Sequence, residues 1–339
     1  MTDTNRRVIF AKRPEGWVTP DCFRVEDAPI PELDDGDVLT RNIVMSVDPY
    51  MRGRMSDRKS YTAGFQLGET MTAGAVGEII ASRNASLPVG TVVNGMLGWE
   101  THTLVKGGGG LLQVDPAAAP LSWYLGILGM PGFTGWYGLL KIGNPKPGET
   151  VFVSAASGAV GQVVGQIAKI KGARVVGTAG DDDKCAWAVE SCGYDVCFNY
   201  KTVGDIAAAV REHCPDGIDI DFENVGGEIL DAVLANLNPY ARIALCGLIS
   251  QYNLVKPEGI HNFQQLLLMR ARVQGFIISE HFEMRDEFIS DMTGWLRAGK
   301  LQYRESFTDG IDSAPGALIG VLKGENFGKQ IVRIGADPS

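Results

Sequence analysis

The residues best placed to do chemistry run Ala155-Ala156-Ser157-Gly158-Ala159-Val160-Gly161. They separate a short apolar run, residues 151–154, from a stretch carrying Val160, Val163, Val164, Ile167 and Ile170 at helical spacing. A glycine turn leading from strand into helix lets backbone come close to a pyrophosphate. The helix start adds unpaired N–H groups and the positive end of its dipole. Gly158 allows the close approach, and Gly161 lets the helix pack tightly on the strand. Ala156 stands where the usual fingerprint has its first glycine. A tight turn explains a lone G-x-x-G equally well; the strand–helix setting turns it into a prediction of dinucleotide binding.

The end of the next strand decides which dinucleotide. An acid there would hold the ribose 2′-hydroxyl of NAD, but the chain reads Val176-Gly177-Thr178-Ala179-Gly180, small and neutral. Asp181, Asp182 and Asp183 follow, and their simplest reading is as caps and dipole partners of the next helix. Lys184, one turn in, can meet a 2′-phosphate, which the three aspartates oppose. The chemistry reads as NADPH, with the acidic run as the feature that weakens the preference.

No metal site is expected. A catalytic zinc takes about three Cys, His or Glu ligands and keeps one position open. The N-terminal region offers Cys22 and His102, with Gly68-Glu69-Thr70 where a His-Glu pair would follow a glycine. The spacing of His102, His213, His261 and His281 assembles no ligand set, and four closely spaced cysteines are lacking. Alcohol oxidation would then lack its usual Lewis acid. Reduction of a carbon–carbon double bond beside a carbonyl stays open, because the enolate needs only hydrogen bonds.

The elements that must position these groups change texture along the chain. Up to about residue 120, short β-rich runs broken by Gly, Pro and Asp, such as 37–44, 73–81 and 91–95, read as a mainly β domain. From residue 151, strands (151–154, 174–178, 195–199, 218–222, 241–246 and 273–278) alternate with helices such as 159–171 and 181–191. Such alternation implies a mainly parallel sheet covered on both faces. Short strands return at 303–307 and 329–334. The fold class is α/β: a doubly wound parallel-sheet (Rossmann) domain, residues 125–299, inserted in a mainly β domain made of 1–124 and 300–339. A chain of 339 residues has room for two such domains.

The net charge of -9 argues against nucleic acid, whose partners carry a basic patch. No apolar run approaches the ~20 residues that span a bilayer, and the first residues lack a signal-peptide core, so a cytoplasmic protein is expected. Of the six cysteines none forms a C-x-x-C pair, and reduced, mostly buried thiols are expected.

Several stretches carry a likeness to one family. They are Val47-Asp48-Pro49-Tyr50-Met51-Arg52-Gly53-Arg54-Met55-Ser56, Leu128-Gly129-Met130-Pro131-Gly132-Phe133-Thr134 and Glu223-Asn224-Val225-Gly226-Gly227, followed by Cys246-Gly247-Leu248-Ile249-Ser250-Gln251-Tyr252-Asn253 and Gly324-Glu325-Asn326-Phe327-Gly328-Lys329. In this order and spacing the chain resembles, over nearly its whole length, the zinc-independent branch of the medium-chain dehydrogenase/reductase superfamily. Within that branch it is most similar to the 2-alkenal and prostaglandin reductase group with its bacterial curcumin reductases.

The resemblance implies that the outer domain is GroES-like and that NADPH delivers hydride to α,β-unsaturated aldehydes and ketones. It implies that Ala155, Ala156, Ser157, Gly158, Ala159, Val160 and Gly161 hold the pyrophosphate, and that Gly180, Lys184 and Tyr200 surround the 2′-phosphate. Pro49, Asn224, Cys246, Tyr252 and Asn326 would line the nicotinamide half, bordered by backbone of Phe276, Ile277 and Ile278, with Tyr50 touching substrate. The acidic run at 181–183 is heavier than the family's usual one. Tyr252 is the first candidate donor to the developing enolate, and Tyr50 is second, for positioning or protonation; packing alone is the alternative for both. Arg52 reads as a structural ion pair ahead of a group attracting an acidic substrate. The family also implies a homodimer joined through a sheet edge, for which residues 273–279 are apolar and β-branched enough. A quinone reductase of the related branch and a non-enzymatic cofactor-binding protein are the rival readings.

Overall fold

The structure, a computed structural model, describes residues 4–337. The chain forms two compact units, one of Met130–Arg304 and the other of its two ends, up to Gly129 and from Glu305. The expected cuts at 124/125 and 299/300 each fall five residues early. The turn Leu121–Leu125 stays with the outer unit because Leu121 and Leu125 pack against Ile43, Val76 and Ile331.

The outer unit starts with an antiparallel pair, β1 (Thr4–Phe10) and β2 (Phe23–Pro29). Next come β3 (Val38–Ser46), the short helix α1 (Met51–Arg54), β4 (Thr72–Ser82), β5 (Val92–Gly98), β6 (His102–Val105) and β7 (Leu112–Gln113). The chain then crosses the inner unit and returns as β14 (Glu305–Asp309), helix α9 (Ala314–Lys323) and β15 (Lys329–Arg333). The sheet order is β14-β15-β3-β4-β5-β7, with β6 also paired to β3. Its largest apolar cluster gathers Phe10, Met45, Met51, Trp99, Leu318 and Val332, so both chain ends share one core. That sharing explains why the unit needs residues from each side of the insertion.

The inner unit opens with α2 (Met130–Tyr137). It then alternates β8 (Thr150–Ser154), α3 (Gly161–Ile170), β9 (Arg174–Ala179), α4 (Asp182–Glu190), β10 (Val196–Asn199), α5 (Ile206–His213), β11 (Ile218–Glu223), α6 (Gly227–Leu234) and β12 (Leu237–Leu245). It closes with α7 (Gln264–Leu268), β13 (Arg272–Gly275) and α8 (Arg285–Arg297). Every strand pair is parallel, in the order β10-β9-β8-β11-β12-β13. β8 is buried at every position and α3 buries eight residues, as a strand covered on both faces demands.

The last strand differs from expectation. It stops at Gly275 instead of running to 278. Phe276 turns inward onto Phe222 and Tyr137, with ring centroids 6.5 and 5.5 Å apart, and Ile278 starts a 3-10 turn. Burying that ring outweighs the β-branched run that argues for continued strand. Among the described residues no helix is long and apolar enough to cross a membrane.

Candidate active site

The strand order reverses at β8 and β11, which puts the turns leaving those two strands beside each other at the carboxyl edge of the sheet. Ligands of open parallel sheets bind at such a switch point.

The first turn is shaped by volume. Ala155 takes a left-handed φ of 54°, unusual for a residue with a Cβ. Ala156 is fully buried and donates its N–H to Thr178 at 2.9 Å, tying the turn to β9. Its methyl fits because the neighbouring strand has Gly177, whose Cβ would lie 2.8 Å from that of Ala156. The missing fingerprint glycine is thus supplied from the next strand. At Gly161 a Cβ would land on the Ala155 carbonyl and 2.9 Å from Ala156 Cα, so only glycine lets α3 start there. Buried Tyr194 donates its hydroxyl to the Gly161 carbonyl at 2.8 Å, its ring occupying the space a Cβ on Gly165 would need. Val160 caps α3 without a side-chain bond, while Ser157 is buried and Gly158, Ala159 and Val160 are half-buried. A turn with this shape fits a pyrophosphate.

The second turn is shaped by charge. Buried Glu223 accepts at Oε1 from Ser154 Oγ (2.7 Å), Val225 N–H and Gly226 N–H (2.9 Å). Ser154 Oγ in turn accepts from Asn224 N–H at 2.7 Å, and Asn224 Nδ2 donates to the Ser154 carbonyl at 2.8 Å. Burial pushes the Glu223 carboxyl up, and these donors pull it back down. Two residues earlier on the same strand, Asp221 is fully buried and neither of its oxygens meets a hydrogen-bond donor. Burial and then Glu223 push its carboxyl well above the ordinary range, so Asp221 is the acid that keeps its proton.

This second turn carries the segment with Cys246 and Tyr252. Cys246 and Gly247 donate N–H groups to the Glu223 carbonyl, Ile249 to Asn224 and Ser250 to Val225, at 2.9–3.1 Å. Burial pushes the Cys246 thiol up to about 12. The Tyr252 hydroxyl accepts from Leu248 N–H at 3.3 Å and would be 3.1 Å from a Cβ on Gly247. Ile277 and Ile278, just past β13, use their carbonyls to accept from Glu280 and His281.

On the other side of the first turn, a Cβ on Gly180 would come within 3.0–3.2 Å of Lys201 Cε, Tyr200 Oη and Lys201 Nζ. Sequence reasoning missed Lys201; its one signal is that it directly follows Tyr200. Asp181 is the N-cap of α4, its Oδ1 accepting from Asp183 N–H and Lys184 N–H, and Asp182 accepts from Asn199 Nδ2 at 2.8 Å. Two of the three acids are therefore used locally.

The remaining expected residues lie in the outer unit. Half-buried Pro49 and Tyr50 lead into α1, and burial pushes the Tyr50 phenol up, with Asp48 adding to it. Their turn is anchored by buried Lys329, which donates to Asp48 Oδ1 (3.0 Å) and to the Val47 and Gln330 carbonyls (2.8 and 3.0 Å). Asp48 also accepts from Ser46. Asn326 donates to the Gly328 carbonyl at 2.7 Å, ahead of that lysine. Arg52, expected to favour an ion pair, is buried and donates to the Gly16 carbonyl at 2.8 Å. Among the described residues no group of three or more His, Cys, Asp or Glu gathers as metal ligands.

A parallel sheet with a glycine-shaped turn at its switch point defines a nucleotide-binding domain of the dehydrogenase type. Residues 6–114 match the family described as N-terminal domain of oxidoreductase, and residues 159–294 match zinc-binding dehydrogenase, a description that names a metal for which the described residues gather no ligand group. The chain is 45% identical to the NADPH-dependent curcumin reductase of Escherichia coli (strain K12), over 98% of both chains. It is 42% identical to the 2-alkenal reductase (NADP(+)-dependent) of Nicotiana tabacum, again over 98% of both. The crystal structure of CurA in complex with NADPH from Vibrio vulnificus superposes with a TM-score of 0.93 at 44% identity, covering 98% of this chain and 100% of that one. The chain belongs to the medium-chain dehydrogenase/reductase family.

Proposed function

We propose that this protein is an NADPH-dependent reductase of carbon–carbon double bonds conjugated to aldehydes and ketones. What carries the reading is the full-length likeness to proteins named NADPH-dependent curcumin reductase and 2-alkenal reductase.

The residues from Ala155 to Gly161 hold the pyrophosphate against the α3 N-terminus. Gly180, Lys184 and Tyr200, with Lys201 beside them, take the 2′-phosphate. Asn224, Cys246, Tyr252 and the backbone of Phe276, Ile277 and Ile278 line the nicotinamide. Bound NADPH supplies a hydride for the substrate's β-carbon. As that bond forms, negative charge grows on the carbonyl oxygen and must meet a donor already in place. Tyr252 is that donor, its oxygen oriented by Leu248 N–H. Tyr50 contacts the substrate, and its raised pKa keeps it a proton donor across neutral pH.

The working form is a homodimer joined at β13. All four residues of that edge strand are exposed, Val273 among them at 42%, and Phe263 and Leu267 just before it are 63% and 77% exposed. Sedimentation of the wild type against Val273→Asp tests this: the variant should run as a monomer. Six free thiols suit a reducing compartment, the cytoplasm.

The deciding experiment follows the absorbance of reduced nicotinamide against alkenals, chalcone-like enones, curcuminoids and quinones. Rapid NADPH oxidation with enones, giving the saturated carbonyl, is the expected result. Turnover of quinones alone, or tight NADPH binding with no oxidation by any enone, overturns the reading.

A further inference from the structure

Two cysteines sit together beside the proposed 2′-phosphate site. β10 alternates: Phe198 points into the cluster under α5 and α6, which turns Cys197 and Asn199 to the face covered by α4. Asn199 binds Asp182, the first residue of α4, and one helical turn on the Cys197 thiol hydrogen-bonds Cys185. Two residues on the strand thus match two residues three apart on the helix, and the thiols are neighbours by packing register. Cys185 directly follows Lys184, and Cys197 precedes Tyr200 by three residues.

The pair also differs chemically from the other thiols. Burial pushes Cys192, Cys214 and Cys246 each up to about 12. The hydrogen bond from Cys197 pulls Cys185 the other way, below its ordinary value, while Cys197 itself is pushed up. Cys185 is buried and Cys197 half-buried, and the hydrogen bond between them favours a thiolate at one sulfur over the other.

We propose that Cys185 and Cys197 form a redox-active dithiol, which a hydroperoxide closes to a disulfide, and that closure weakens NADPH binding. The second half rests on the reading of Gly180, Lys184 and Tyr200 as the 2′-phosphate site. With hydrogen peroxide, the Cys185 thiolate attacks one oxygen; the S–O bond forms, the O–O bond breaks, and hydroxide leaves and takes a proton as water. The Cys197 sulfur then attacks the sulfenic sulfur; the S–S bond forms, the S–O bond breaks, and a second water carries off the Cys197 proton. Two thiols lose two electrons and one peroxide gains them. A covalent S–S bond is far shorter than a thiol–thiol hydrogen bond, so closure pulls the first turn of α4 toward β10 and moves Lys184 and Tyr200 with it.

The test treats the full-length protein with hydrogen peroxide, blocks remaining thiols and maps peptides by mass. KM for NADPH and for NADH, and kcat, are measured before treatment, after it, and after reduction with dithiothreitol. The expected result is a 185–197 cross-link and a KM for NADPH raised at least about fivefold, the low end of ordinary coupling between sites. NADH kinetics should stay unchanged, and dithiothreitol should reverse the effect. Cys185→Ser and Cys197→Ser should keep the untreated KM in peroxide. Absence of the cross-link while peroxide oxidises other thiols overturns the dithiol, and a cross-link with unchanged KM for NADPH overturns the coupling. Failure of the phosphate-site reading is seen separately, in untreated Lys184→Ala, as equal KM for NADPH in variant and wild type.

Discussion

The turn after β8 and the turn after β11 leave neighbouring strands of one sheet and hold their backbone by different means. In the first, Gly161, Gly177 and Ala156 interlock, and one added methyl would meet backbone or another side chain. In the second, one carboxylate oxygen of Glu223 collects three donors while Asp221 lies beside it without any. A sterically set turn yields to a change of volume, and an electrostatically set one yields to a change of charge or pH. Each should be broken by its own kind of substitution and tolerate the other's.

The largest effect is expected at what the second turn carries. Tyr252→Phe keeps the ring and removes the hydroxyl that accepts from Leu248 N–H. It should lower kcat with a good enone by about 10²–10³-fold, the loss expected for one preorganised donor, with KM for NADPH little changed. Unchanged steady-state kinetics would leave Tyr252 a packing residue and strip the second turn of its chemical role.

Gly161→Ala tests the first turn directly. Its new Cβ meets the backbone of Ala155 and Ala156, which cannot swing aside as a side chain would. The expected cost is about 3 kcal/mol, at the upper end for single substitutions, read as a lowered Tm and a weakened NADPH affinity by titration. A variant with wild-type affinity would show that volume does not set this turn.

The two turns also differ in how far the sequence reveals them. The first is legible because its constraint is local: glycines at fixed offsets between an apolar strand and a helical period. Even there the compensation of Ala156 by Gly177 is hidden, since it acts across strands. The second reads only as a family signature. Ser154 and Glu223 are 69 residues apart, and nothing in either residue's own neighbourhood says that they bond. Lys201 is missed because charge alone cannot show that its side chain folds back over Gly180. The strand expected over 273–278 fails at Phe276 because β-propensity does not record that its ring is needed against Phe222. Asp181 and its neighbours read correctly as a cap because capping chemistry is local.

Glu223→Gln separates shape from charge in the second turn. The amide keeps the volume and one acceptor oxygen, and it weakens three bonds from charge-assisted to neutral. A loss of about 1–2 kcal/mol in unfolding free energy is expected, together with a rise in KM for NADPH through displaced Asn224. The same substitution should leave the backbone of the first turn intact, which hydrogen exchange of the Ala156 and Gly158 amides would report. Equal loss of protection in both turns would mean that they are one mechanical unit.

The smallest effect is the most specific to charge. Asp221 has no donor in the fold, and burial with Glu223 close by raises its pKa well above that of an unfolded chain. The native state therefore holds a proton that the unfolded state releases once pH exceeds the ordinary aspartate value of about 3.9. The contribution of Asp221 to stability is then greatest below that pH and falls as pH rises through the interval up to the native pKa. Asp221→Asn removes the titration while keeping size and shape. Denaturation curves should coincide below about pH 4 and diverge above it, the variant gaining on the order of 1 kcal/mol by neutral pH. Parallel pH profiles for the two proteins would show that Asp221 titrates alike in both states, leaving Glu223 alone to carry the electrostatics of this turn.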